Sequence, residues 1–159
     1  MGEMIKVGMA DLKVCKAPDN LTTIGLGSCI GIALYDPVTK VTGLAHIMLP
    51  DSTSIRNNSN IAKFADTGIK KLLDDMLKMG ASKSRIRAKI AGGAKMFDIG
   101  SSTMNVGDRN AAASRAMLKQ LGIPLIAEDC GKNFGRTVEL YSANGDFLIK
   151  AVGKTPYKI

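Results

Sequence analysis

Residues 29–36 (CIGIALYD) and 41–49 (VTGLAHIML) are two nearly unbroken apolar runs with one short connection between them. Each is short, bounded by turn residues and apolar throughout, so each reads as a buried strand. The connection, Asp36-Pro37-Val38-Thr39-Lys40, is built from turn formers. The pair is expected to fold as an antiparallel hairpin. Trp is absent and aromatic residues make up only 4% of the chain, so Ile, Leu, Val, Ala and Met must supply most of the packing.

Further patterns surround this hairpin. Residues 4–9 and 12–15 read as one or two short strands, and Arg85 to Ala91 alternates as another. Residues 61–79 follow a helical period, with Ile61, Ala65, Ile69, Leu72 and Met76 on one face and Gly80 as the stop. The polar stretch from Asp51 to Asn60 reads as a loop. A second helix is expected over about 109–121, capped by Asp108 and ended by Gly122 and Pro124. Residues 124–129, 135–142 and 146–152 read as strands, the last two joined across Ala143-Asn144-Gly145, where Asn-Gly favours a hairpin. About seven strands and two helices, with much antiparallel pairing, make an α+β fold.

At 159 residues the chain fits one domain, spanning 1–159, with its own core. The N-terminal MGEMIKVGMADLK lacks an apolar signal core, and no apolar run is long enough to cross a bilayer. A cytoplasmic protein without membrane insertion is expected. Three cysteines, Cys15, Cys29 and Cys130, show no metal-ligand spacing and read as free thiols. The net charge of +8 favours an acidic partner surface. Nucleic acid is not the expected partner, because the basic residues are scattered and no aromatic-basic module is present.

Before the hairpin, a glycine-rich turn, Gly25-Leu26-Gly27, ends in Ser28-Cys29 and so in a thiol. A dinucleotide loop would have to open a helix, whereas this turn opens into strand sequence. A zinc site would need more ligands than one histidine and three dispersed cysteines provide. Two readings remain: a small apolar core residue, or a nucleophile made accessible by Gly27 and Gly31. The one histidine, His46, lies at the same end of the hairpin as Cys29. In one register the two residues face each other directly, with Cβ atoms about 5 Å apart. A slip by one residue turns His46 to the other face. A paired imidazole could take the thiol proton, and Thr22 and Thr23 are local candidates to hold the ring. Backbone N–H groups of the turn could stabilise an oxyanion. The alternative for His46 is a satisfied core residue.

The run Thr23-Ile24-Gly25-Leu26-Gly27-Ser28-Cys29 followed by Gly43-Leu44-Ala45-His46-Ile47-Met48-Leu49-Pro50 resembles the chemoreceptor glutamine deamidase family, CheD. The resemblance continues through 91–97 (AGGAKMF), 106–110 (VGDRN) and Ala127-Glu128-Asp129, and covers about residues 4–153. It implies a hydrolase that converts glutamine side chains of methyl-accepting chemotaxis receptors to glutamate, releasing ammonia through a thioester. By matching position, Cys29 would be the nucleophile, His46 the general base and Thr23 the residue that orients it, with no cofactor and no metal. Some members also hydrolyse receptor methyl esters. The implied fold is that of toxin-type cysteine deamidases, with packed sheets and helices on one side. The implied partners are the receptors and the phosphatase CheC.

One departure is visible: Cys130-Gly131 stands after Glu128-Asp129 where a Gly-Gly pair is expected. Phe97, Asn110, Asn133 and Arg136 sit in motif-like loops and either line the site or hold loop geometry. Met48, Met96 and Met104 either form an adaptable contact patch or fill the core. A basic surface suits acidic patches on a receptor coiled coil. The alternative to an enzyme is a binding module that keeps the deamidase-like pocket and mainly regulates CheC.

Overall fold

A computed structural model describes residues 2–56, 58–96 and 105–159. The expected hairpin is present as β4 (Ile30–Tyr35) and β5 (Val41–Ile47), paired antiparallel. Eight further strands are found among the described residues. They are β1 (Met4–Val7), β2 (Asp11–Lys16), β3 (Asn20–Leu26), β6 (Arg87–Gly92), β7 (Leu125–Cys130), β8 (Arg136–Leu140), β9 (Phe147–Lys150) and β10 (Tyr157–Lys158). Two α-helices accompany them, α1 (Ala65–Lys78) and α2 (Val106–Gln120). The strands form two five-stranded sheets, β1-β3-β8-β9-β10 and β2-β5-β4-β6-β7. Each sheet is mixed: β1 runs parallel to β3 and β6 runs parallel to β7, and the other pairs are antiparallel.

The hairpin lies at the centre because both of its faces are apolar. Ile30, Ile32 and Leu34 of β4, with Val41, Ala45 and Ile47 of β5, pack against Ile69, Leu72, Leu73 and Met76 of α1 and Ala111 and Leu118 of α2. Ala33 and Leu44, on the opposite face, pack against Leu21, Leu26, Val138, Leu140, Phe147 and Ile149 of the first sheet. Strands covered on both sides lose the polar alternation of surface strands. Both helices therefore lie on one side of the sheet pair. At Gly43 a Cβ atom would sit 2.7 Å from Leu72 Cδ1, so a larger residue there would force the Leu72 side chain on α1 to shift.

Several expectations need correction. The strand β3 replaces what reads as a turn. Leu21 and Thr23 point inward and alternate with less buried neighbours, while a bulge between Thr23 and Leu26 accommodates Gly25 at φ 76°. The first helix begins at Ala65, because residues 61–63 form a separate 3-10 turn. The loop over 51–60 contains a 3-10 turn at Ser52–Ser54. The second helix starts at Val106, capped by Asn105 rather than Asp108. The Asn105 carboxamide oxygen accepts the Asp108 N–H at 2.9 Å.

The hairpin turn is anchored by a buried carboxylate. Asp36 accepts from the Val38 and Thr39 N–H groups in its own turn, from the Ser82 N–H after α1, and from the Arg85 guanidinium through both oxygens. Burial raises the Asp36 pKa, but Arg85 first and then these N–H groups outweigh it and hold the carboxyl well below the usual range. Replacing Asp36 with alanine orphans several donors at once and is expected to cost about 3 kcal/mol of stability, read by urea denaturation. Because the folded pKa is depressed, the Asp36 contribution is complete above 3.8 and is lost as pH falls below that value. The stability gap between wild type and Asp36→Ala should therefore stay constant down to pH 3.8 and narrow only below it.

Candidate active site

Thr23 on β3 and His46 on β5 belong to different sheets and meet between them. Both are fully buried, and Thr23 Oγ1 lies 2.7 Å from His46 Nδ1. The same hydroxyl donates to the Val7 carbonyl of β1 at 2.8 Å. A hydroxyl has one proton. With that proton on Val7, Thr23 offers only lone pairs to the ring, so His46 Nδ1 must carry the imidazole hydrogen and donate it. The other nitrogen, Nε2, is left with a free lone pair. It is buried and has no hydrogen-bond partner among the described residues. Burial disfavours the imidazolium and pushes the His46 pKa below 6.5. The ring is a neutral base with its acceptor nitrogen unused.

Cys29 precedes β4 by one residue. His46 pairs with Gly31, so the direct Cys29–His46 opposition is not the register found. Cys29 lies two residues along and therefore projects to the same face, diagonal to the imidazole. Gly31 directly opposite the ring presents no side chain to it. Asp11 lies across from His46 on the other flank, in β2, and its carboxylate accepts from the Leu12 N–H at 2.8 Å. Cys29 is 7% exposed. Burial pushes its thiol pKa up, opposed by its own backbone N–H, which is directed at the sulfur. A protonated thiol and a neutral imidazole are the resting pair.

The segment that carries the thiol is held by its carbonyls. Gly27 O accepts from Ala94 N–H at 2.8 Å, Ser28 O from Asn110 Nδ2 at 2.8 Å, and Cys29 O from Gly93 N–H at 2.8 Å. Close approach at the end of β6 makes this possible. Gly92 has φ 115°, and a Cβ there would lie 2.2 Å from Cys29 O. Two concavities flank the turn. A groove of about 580 Å³ includes Ile24, Gly25, Phe134, Arg136 and Lys154. A cavity of about 220 Å³ on the other side is lined by Ser28, Met96 and the start of α2 at Asn105, Val106 and Gly107. Among the described residues, no three His, Cys, Asp or Glu side chains cluster to hold a metal.

The other singled-out residues separate. Thr22 donates to the Val138 carbonyl at 2.7 Å and takes no part in holding the ring. Arg136 lies in β8 rather than in a loop and is buried. It pairs with Asp129 at 3.0 Å and donates to the Gly131 carbonyl, tying the first sheet to the second. Asn133 is exposed. Asn110 lies in α2, not in a loop. Met48 is half-buried in the inter-sheet core, and Met96 is exposed beside Gly27. Phe97 and Met104 lie outside the described residues. Sequence reasoning missed the Val7 carbonyl, which as a main-chain acceptor leaves no residue signal. It singled out Asn110 as lining the site or holding loop geometry, but not its partners, which include the Ser28 carbonyl beside Cys29, 81 positions before it. Among the described residues no helix is long and apolar enough to cross a membrane.

The family model described as CheD chemotactic sensory transduction matches residues 48–151. A Lachnoclostridium phytofermentans protein, described as a probable chemoreceptor glutamine deamidase CheD, is 57% identical over the whole of both chains. A Caldanaerobacter subterraneus subsp. tengcongensis protein with the same description is 58% identical, over 95% of this chain and 94% of its own. A third relative with that description, from Moorella thermoacetica, is 51% identical over 98% of this chain and 94% of its own. Among solved structures, Bacillus licheniformis hypothetical protein YfiH overlaps 80% of this chain and 58% of its own, at a TM-score of 0.47 and 17% identity. With identities above one half across essentially full length, this chain belongs to the CheD family.

Proposed function

We propose that this protein is a chemoreceptor glutamine deamidase acting in bacterial chemotaxis, with Cys29 as nucleophile, His46 as general base and Thr23 as the residue that fixes the ring. The observation that carries this reading is the Thr23–His46 hydrogen bond. It leaves Nε2 as the proton-accepting atom, on the strand face shared with the thiol. The names of the full-length relatives support the receptor glutamine as substrate.

The chemistry follows from the resting pair. As the sulfur attacks the side-chain amide carbon, Nε2 takes the thiol proton, so charge develops only in the transition state. The Nδ1–H bond to Thr23 stabilises the imidazolium as it forms. In this mechanism backbone N–H groups of the turn would stabilise the developing oxyanion. Nε2–H then protonates the departing nitrogen, ammonia leaves, and a thioester remains on Cys29. Nε2 next takes a proton from water, which attacks the thioester carbon. Glutamate is released and the thiol regains its proton. A receptor methyl ester would follow the same route with methanol leaving. Family membership supports CheC as a second partner, and a substrate in the receptor's cytoplasmic domain supports a cytoplasmic location.

The direct test incubates the protein with a receptor cytoplasmic fragment and follows glutamine-to-glutamate conversion by peptide mass spectrometry. Wild type is expected to convert specific glutamines and Cys29→Ala none. Conversion by a folded Cys29→Ala protein would refute the nucleophile. Thr23→Val keeps the volume but removes the acceptor for Nδ1–H, and kcat is expected to fall about 100-fold, within the range of general-base contributions. The profile of kcat/KM against pH gives a further check. Burial lowers the His46 pKa, so the neutral base persists to lower pH than an ordinary imidazole. The acid limb should have its midpoint below 6.5, and a midpoint above that value would assign it to another group.

A further inference from the structure

The ladder between β4 and β5 stops at the pair Ile30–Ile47. Beyond it one strand end continues back through Cys29 to Ser28, and the other continues forward to Met48. Carbonyls from both ends accept from a single atom. Asn110 Nδ2 lies 2.8 Å from Ser28 O and 2.9 Å from Met48 O. Asn110 sits in α2, is fully buried, and leaves its own Oδ1 without a partner among the described residues. Turning the carboxamide over would set Oδ1 against two carbonyl oxygens, so the orientation is fixed by chemistry.

The side chain is used for its two donors alone. A serine or threonine hydroxyl has one proton and could hold only one of the two strand ends. A leucine would fill the same space without an orphaned acceptor, whose burial costs stability. The amide nitrogen thus takes over, by side chain, the cross-strand pairing that the backbone has given up where the thiol needs access. Of the three ties on the Cys29 segment, it alone also reaches the strand that carries His46.

We propose that Asn110 is a positioning residue that sets the separation of the strand ends bearing Cys29 and His46, and so the reach from Sγ to Nε2. The proposal rests on the reading of Cys29 and His46 as the reacting pair.

The test uses the full-length protein with Asn110→Ala and, as a volume-matched alternative that also removes the orphaned acceptor, Asn110→Leu. Melting curves establish which variants fold. Two readouts follow. The first is kcat and KM for conversion of receptor-fragment glutamines. The second is the rate of Cys29 alkylation by iodoacetamide as a function of pH, resolved from Cys15 and Cys130 by peptide mass spectrometry. Wild type and His46→Ala serve as references. In a folded variant kcat is expected to fall at least tenfold with KM within about twofold, and the alkylation profile to move from that of wild type to that of His46→Ala. A residue that only stabilises the fold would lower the melting temperature and leave the profile unmoved. An unmoved profile, an unchanged kcat, or failure of both variants to fold would each overturn the proposal. Absence of glutamine conversion by wild type would refute the deamidase reading. The alkylation profiles would still decide whether Asn110 sets the thiol–imidazole geometry.

Discussion

The β4–β5 hairpin is buried on both faces, and the rest of the molecule is arranged to cover it. One face needs helices, and α1 and α2 supply them. The other needs a second sheet, because Ala33, Leu44 and Ala91 are too small or too few to close a core alone. Any polar side chain on the covered inner face must then find a partner or remain costly. His46 is such a side chain, and the covering sheet provides Thr23. The site is therefore not an addition to the fold. Here the two sheets exchange a hydrogen bond between a histidine and a hydroxyl instead of packing apolar groups.

Burial also sets the chemistry. A surface cysteine beside a surface histidine would divide its proton according to ordinary pKa values. Here desolvation raises the thiol and lowers the imidazole, so neither group is charged at rest. An ion pair would be formed and stabilised only as the reaction proceeds, where electrostatic preorganisation has its effect. The unpartnered Nε2 fits the proposed mechanism, in which it accepts the thiol proton.

The hairpin, both helices and most strands were legible because they rest on local patterns: apolar runs, a 3.6 period, and turns at Pro37 and Asn144-Gly145. The strand Asn20–Leu26 was not, because Gly25 and Gly27 read as a turn, whereas the structure absorbs Gly25 as a bulge within the strand. The Cys29–His46 face was legible, since it needs only the hairpin and the parity of side chains. Their register was not, and it differs from direct opposition by two residues. Parity survives a shift of two, so the two residues share a face although direct opposition is not the register found. The links to Val7, Asn110, Gly93 and Ala94 are long-range and largely through backbone atoms. Residue types carry no record of those.

The chain of protons that begins at His46 ends on a main-chain oxygen. No side-chain replacement at position 7 removes that acceptor, which insulates the tautomer of the base from sequence drift at that position. Its vulnerability lies elsewhere. Val7 is held in β1, a four-residue strand at the edge of its sheet, paired only with β3. Local openings occur below the threshold of global unfolding. Detaching β1 would free the Thr23 hydroxyl to donate to Nδ1 instead, moving the ring hydrogen to Nε2 and blocking the proton-accepting atom. The fraying of a short peripheral strand is thereby coupled to the protonation pattern at the centre of the molecule.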